Sequence, residues 1–164
     1  MKPLILIVTI FFLVPVFASA EQTERLCQSL GGTMVDTLQC PNSKKVRDGR
    51  FCLVRHEPLV YFNGCTKVGG KYGSTFYKPC LKHDFCYHHE PATNNLSKKK
   101  CDRRFYEDMV DVCAAKGATE GFLKCSGVAW AFYQAVKVGG KNSWQCSNSF
   151  FDYSDLDKII LSLK

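Results

Sequence analysis

Hydrophobic and polar positions divide this chain into an apolar leader, a stretch without clear period, and a helical half. Leu4 to Phe17 is almost wholly apolar, with basic Met1-Lys2 before it and the small residues Ala18-Ser19-Ala20 after it. That is the pattern of a cleaved secretory signal, broken by Pro15 and too short for a comfortable membrane span. Residues 1–20 are therefore expected to be removed, leaving an exported chain that starts near Glu21. Residues 21–60 have weak periodicity and turn-rich pieces such as Cys40-Pro41-Asn42-Ser43 and Arg47-Asp48-Gly49-Arg50. They read as an irregular segment tied by disulfides, with a small hairpin. Asn63 to Ser74 carries Gly64, Gly69, Gly70 and Gly73 and reads as a loop of unusual backbone freedom.

From there the period becomes helical. One helix is expected from Lys78 or Pro79 to before Pro91, proline suiting the first turn. A second runs from an N-cap at Ser97 to Ala115, with Gly117 as the stop and a stripe of Phe105, Met109, Val112 and Cys113. A third spans Thr119 to Lys137, with Phe122, Cys125, Ala129, Phe132, Tyr133 and Val136 on one face and Gly139-Gly140 at its end. A short fourth, Ser154 to Leu163, places Leu156, Ile159, Ile160 and Leu163 together. The predicted fold is mainly α, with residues 21–60 and 61–164 forming one domain.

Cysteine usage sharpens this picture. All ten cysteines follow the leader, and an even number in an exported chain implies a disulfide framework in an oxidising compartment. That context disfavours a zinc site made from the cysteines with His88 and His89. The net charge of +7 includes the leader's lysine, so the exported chain carries +6 and suits anionic partners such as membrane surfaces or sulfated glycans. No nucleic-acid motif is present. The basic run Lys98-Lys99-Lys100 with Arg103-Arg104 reads first as a solvated face, and alternatively as a lipid-steering patch or a cleavage site that yields two linked chains. Trp130 reads as core rather than lipid-contacting, and Asn95-Leu96-Ser97 is a glycosylation sequon.

The candidate chemistry lies in Cys80-Leu81-Lys82-His83-Asp84-Phe85-Cys86-Tyr87. Helical neighbours are turned by roughly 100° from each other, so His83 and Asp84 address two different environments. Asp102 is a carboxylate in line with a core stripe, and such a group needs a partner. If the first two long helices pack antiparallel, His83 is that partner, and Tyr87, four residues on, reaches the same carboxylate. A carboxylate behind an imidazole sets its tautomer and stabilises its protonated form, as a general base requires. Asp84 points elsewhere, toward the loop at Asn63-Gly64-Cys65. Calcium favours carboxylate and carbonyl oxygens, which Asp84, Asn63 and Gly64 offer.

With these residues in view, the chain resembles the secreted phospholipases A2. Cys80, His83, Asp84, Cys86 and Tyr87 fit the family's active-site helix pattern C-x-x-H-D-x-C-Y. The similarity is greatest to the bacterial and fungal enzymes and to conodipine-type venom proteins, through Lys82 to Tyr87, Asp102 to Met109 and Ala129 to Lys137. The resemblance covers roughly Tyr61 to Lys137. It implies a calcium-dependent hydrolase of the sn-2 ester of glycerophospholipids, acting as a monomer at a membrane or micelle surface outside the cell. It further implies His83 as general base, Asp102 as the group orienting it, and Asp84 with Asn63 and Gly64 as calcium ligands. The implied bridges are Cys65–Cys80, Cys86–Cys101 and Cys113–Cys125, while Cys27, Cys40, Cys52 and Cys146 share two more in an open order. Asn63 stands where the bacterial pattern usually has aspartate. That departure keeps in play a phospholipase-like toxin or binding protein without turnover, and the basic charge keeps a second alternative, a secreted cysteine-rich protein holding anionic lipids or glycans.

Overall fold

A small sheet precedes a set of helices, and the chain passes from one to the other at the residues expected to bind calcium. The computed structural model describes residues 14–41, 44–56, 59–65, 71–89, 95–116, 121–144, 146, 158 and 161. Helix α1 is Val14–Ser29. Strands β1 Thr33–Gln39, β2 Val46–His56 and β3 Leu59–Phe62 follow, paired antiparallel in the order β1-β2-β3. Then come α2 Lys71–Thr75, α3 Tyr77–His88, α4 Lys98–Ala115 and α5 Phe122–Gly139, with a 3-10 turn at Gly140–Asn142.

The mainly α, disulfide-rich character expected from the sequence holds. The stretch expected to be irregular is more ordered than its pattern suggested. It contains the hairpin, as β1 and β2, but also a third strand and most of a helix. Register shifts between Val35 and Thr37 and between Leu53 and Arg55 break the period-2 alternation that would have marked these strands. All four residues of β3 are buried, so that strand shows no alternation at all. α1 runs across Ala20-Glu21, and beyond that point its core face is only Thr23, Leu26 and Cys27. So few positions leave little period to read.

α3 is buried on nearly every side, because it lies between β3 and α4. Val60, Phe62, Tyr77, Leu81 and Phe85 pack on its sheet side with Leu26 of α1. Cys80, Phe105, Met109 and Ala129 pack between α3, α4 and α5. Burial all round fits the absence of a single apolar stripe along its sequence. α4 starts as predicted: the Ser97 hydroxyl accepts from the Lys100 N–H at 3.3 Å. In protein made without glycosylation, Ser97→Ala is expected to lower stability by about 1 kcal/mol, read as a drop of a few degrees in Tm. α5 begins at Phe122 rather than Thr119, after Gly121 in a left-handed conformation. Trp130 is half exposed rather than core. The Gly117 stop and most of the terminal helix lie outside the described residues; Lys158 and Leu161 are helical and exposed.

All ten cysteines are paired. The three expected bridges form, and the open pair resolves as Cys27–Cys52 and Cys40–Cys146. Cys40–Cys146 joins residues 106 apart and clamps the segment after α5 to the end of β1. Closing a loop of that length stabilises the fold by about 4–5 kcal/mol in the chain-entropy picture. Five disulfides suit an oxidising compartment. Among the described residues no helix is long and apolar enough to cross a membrane.

Candidate active site

α3 presents His83 and Asp84 on two different sides, as consecutive helical residues must. Cys86–Cys101 ties α3 to α4 beside the pair, and Cys65–Cys80 ties α3 to the segment after β3. The candidate residues therefore sit on elements cross-linked on both sides of the site.

On the α4 side, His83 Nε2 lies 3.2 Å from Asp102 Oδ1, with both side chains buried. A carboxylate only accepts, so Nε2 carries the proton and Nδ1 keeps its lone pair. The Tyr87 hydroxyl donates to the same Oδ1 at 2.5 Å. Lys98 Nζ donates to Oδ2 at 2.8 Å. Burial pushes the Asp102 carboxyl up, but the hydrogen bonds from His83, Lys98 and Tyr87 outweigh it and hold the group below its usual range. Burial lowers the His83 pKa below that of a free histidine, with Asp102 opposing the shift. The imidazole is thus neutral and able to accept a proton near neutral pH. His83 stacks on Phe105, ring centroids 4.5 Å apart, which fixes its plane.

His83 also lines a cavity of about 410 Å³ with Phe85, Cys86, Arg104, Phe105 and Asp108. The Lys82–Asp108 ion pair, 2.9 Å long, stands beside it. The lining combines apolar with charged side chains, suited to an amphipathic ligand.

On the other side, Asp84 Oδ2 accepts from the backbone N–H of Asn63 at 2.9 Å and of Gly64 at 2.7 Å. The Asn63 amide turns its nitrogen to the carboxylate, 3.3 and 3.2 Å from Oδ1 and Oδ2, the orientation in which donor meets acceptor. Burial raises the Asp84 pKa to about 7, against those N–H contacts and the charge of Arg47. Gly64 has φ 62°, and a Cβ there would come within 2.8 Å of the Tyr77 ring and 3.0 Å of Thr23 Oγ1. Only glycine fits both the backbone and the space.

These donors fit a hard cation. A half-buried carboxylate with a raised pKa lies against Asn63 and Gly64, which meet it through N–H groups and whose amide and carbonyl oxygens would have to turn toward a cation to join it. Among the described residues no cluster of three or more Asp, Glu, His or Cys side chains is set for a metal. A cation here would therefore rely on Asp84 together with the amide and carbonyl oxygens of Asn63 and Gly64. His88 and His89 are elsewhere: both are buried, and His88 Nδ1 is 2.5 Å from the Tyr61 hydroxyl. With every cysteine in a disulfide, none is left as a zinc ligand.

Two contributors to this site carry little signal in the sequence. Lys98, expected on a solvated basic face, turns inward to Asp102; its position four residues earlier on one helix was the available signal. Trp144 packs edge-on to Tyr87, ring centroids 5.2 Å apart, and nothing in the local pattern points to that contact.

The profile of one protein family, described as prokaryotic phospholipase A2, matches residues 54–140, more than half of the chain. The chain belongs to that family. The match begins within β2 and ends where the 3-10 turn begins, so it takes in His83, Asp84, Asp102, Asn63 and Gly64. No curated protein and no solved structure matches the chain.

Proposed function

We propose that this protein is a secreted, calcium-dependent phospholipase A2 that hydrolyses the sn-2 ester of glycerophospholipids to a fatty acid and a lysophospholipid. The observation that carries the reading is the buried His83–Asp102 pair, with His83 in the wall of a large amphipathic cavity and Asp84 turned away from it toward Asn63 and Gly64. Nδ1 of His83 removes a proton from the attacking water, while Asp102 holds the ring and offsets its new charge and Tyr87 in turn holds Asp102. The same imidazole then returns the proton to the departing alkoxide. Water is the nucleophile, so neither a serine nor a cysteine is needed and no acyl-enzyme forms. Asp84, with oxygens of Asn63 and Gly64, would hold calcium, whose role when bound is to polarise the ester carbonyl. The cavity takes the acyl chain against Phe85 and Phe105.

The test uses purified protein and phosphatidylcholine vesicles carrying different acyl chains at sn-1 and sn-2. Release of the sn-2 acid alone is expected, abolished by EGTA and restored by calcium. Release that ignores EGTA, or attack at sn-1, would defeat the proposal.

Asn63 favours a second reading, a calcium-poor relative that binds lipid without turnover, because it supplies no negative charge to the cation. The variant Asn63→Asp separates the two. It sets a second carboxylate beside Asp84, so the calcium-free Tm should fall while calcium affinity rises by about tenfold. Calorimetric titration with a parallel activity assay reads both. If Asn63→Asp alone confers measurable turnover, the native chain is the binder.

A further inference from the structure

We propose that Lys98 is a positioning residue for the reaction, holding the plane of the Asp102 carboxylate toward His83 and tethering it to the C-terminal end of α5. This deepens the hydrolase reading and rests on it. The χ2 torsion of an aspartate is broad, so the plane of its carboxylate is set by what its oxygens bond. Tyr87 and His83 both use Oδ1. Among the described residues, Oδ2 is met by Lys98.

The ammonium itself is fully engaged. Besides Oδ2 it donates to the Val136 carbonyl at 2.9 Å and the Lys137 carbonyl at 3.4 Å. Three donors thus meet three acceptors. The Val136 carbonyl also accepts from the Gly140 N–H at the helix cap, and carbonyls in the last turn carry the negative end of the helix dipole, so a cation is favoured there. A surface lysine ordinarily keeps its rotamer freedom; this one is only 22% exposed and has given that freedom up. The tether continues through Tyr87, over whose ring Lys98 Nζ lies at 5.5 Å. A Cβ on Gly140, the residue after α5, would overlap the Tyr87 hydroxyl, so that glycine lets the end of α5 close onto the same group. The Cys40–Cys146 bridge then clamps the segment just beyond, where Trp144 rests on Tyr87. Lys98 is the polar link between this brace and the Asp102 carboxylate.

The substitution Lys98→Met keeps the stem and removes the donors. Groups that orient metal-bound imidazoles are typically worth 10–100-fold in activity, and on that scale kcat is expected to fall by about 30-fold with KM held within threefold. Lys99→Met, on the exposed neighbour, serves as the control and should stay within twofold. In an Asp102→Asn background, Lys98→Met should cost no more than about twofold further, because Lys98 acts through that carboxylate. A readout independent of turnover is the ¹⁵N spectrum of the His83 ring in calcium-free protein. The wild type should show one Nε2–H tautomer, and Lys98→Met a mixture. If Lys98→Met does not fold, Lys98→Gln carries the same tests. An unchanged kcat, an unchanged tautomer, or an equal loss in the Asp102→Asn background would each overturn the proposal. Because the tautomer does not depend on hydrolysis, failure of the hydrolase reading would be seen separately, as a wild type without turnover.

Discussion

Replacing His83 by glutamine is expected to reduce kcat by at least about 10³-fold while leaving the fold and calcium binding intact. Glutamine is close to histidine in size, and its amide nitrogen can still donate to Asp102, so the buried carboxylate keeps a partner. What it lacks is a basic lone pair at the position of Nδ1. Initial rates on phospholipid vesicles, beside circular dichroism and a calcium titration, check the three parts together. Activity within tenfold of wild type would remove His83 as the base. The pH profile adds a second constraint. Burial sets the His83 pKa below 6.5, so with calcium saturating, the acid limb should fall below pH 6.5. An acid limb above that value would mean the base is not this residue.

The second large effect is expected at Asp84, with opposite signs for stability and for activity. Its pKa of about 7 in the calcium-free protein stands above the ordinary carboxylate value of 3.8, with burial the main cause. A raised folded-state pKa means the favourable protonated form is fully present below about pH 3.8 and is lost as pH rises through about 7. The calcium-free protein therefore carries a strained negative charge at pH 8 that it does not carry at pH 5. After discounting for partial exposure, the cost is on the order of 3 kcal/mol. Asp84→Asn removes that charge and should raise the calcium-free Tm at pH 8 by several degrees. The same change should abolish calcium binding and with it essentially all hydrolysis. For the wild type, calcium should raise the Tm more at pH 8 than at pH 5.5, because protons and calcium compete for one carboxylate. Scanning calorimetry at the two pH values with and without calcium decides it. A calcium-free Asp84→Asn protein less stable than wild type at pH 8 would contradict this account of the site.

Both residues are legible in the sequence itself, and the reason is geometric. A helix has a fixed pitch, so consecutive His83 and Asp84 must face different ways, and cysteines three positions before and after His83 can anchor that helix on two sides. Asp102 is legible because a carboxylate in a core stripe demands a partner. The ends of α4, Ser97 as cap and Ala115 as last residue, follow from equally short-range rules. Lys98 is misleading because charge runs are usually solvated, and only its contact with carbonyls 38 and 39 residues away shows otherwise. The strands are hidden for a different reason: bulges break the alternation of β1 and β2, and complete burial removes it from β3.

By itself, then, the amino-acid sequence determined the helical half, the different facing of His83 and Asp84 on one helix, and the disulfide-rich character of the chain. All of these rest on interactions within a few residues or on composition. Tertiary structure alone decided the pairing of Cys27 with Cys52 and Cys40 with Cys146, since loop closure between distant cysteines leaves no local trace. It also decided that N–H groups of Asn63 and Gly64 hold Asp84, and that the end of α5 braces Asp102 through Lys98. Those contacts join segments far apart in the chain, and packing rather than pattern brings them together.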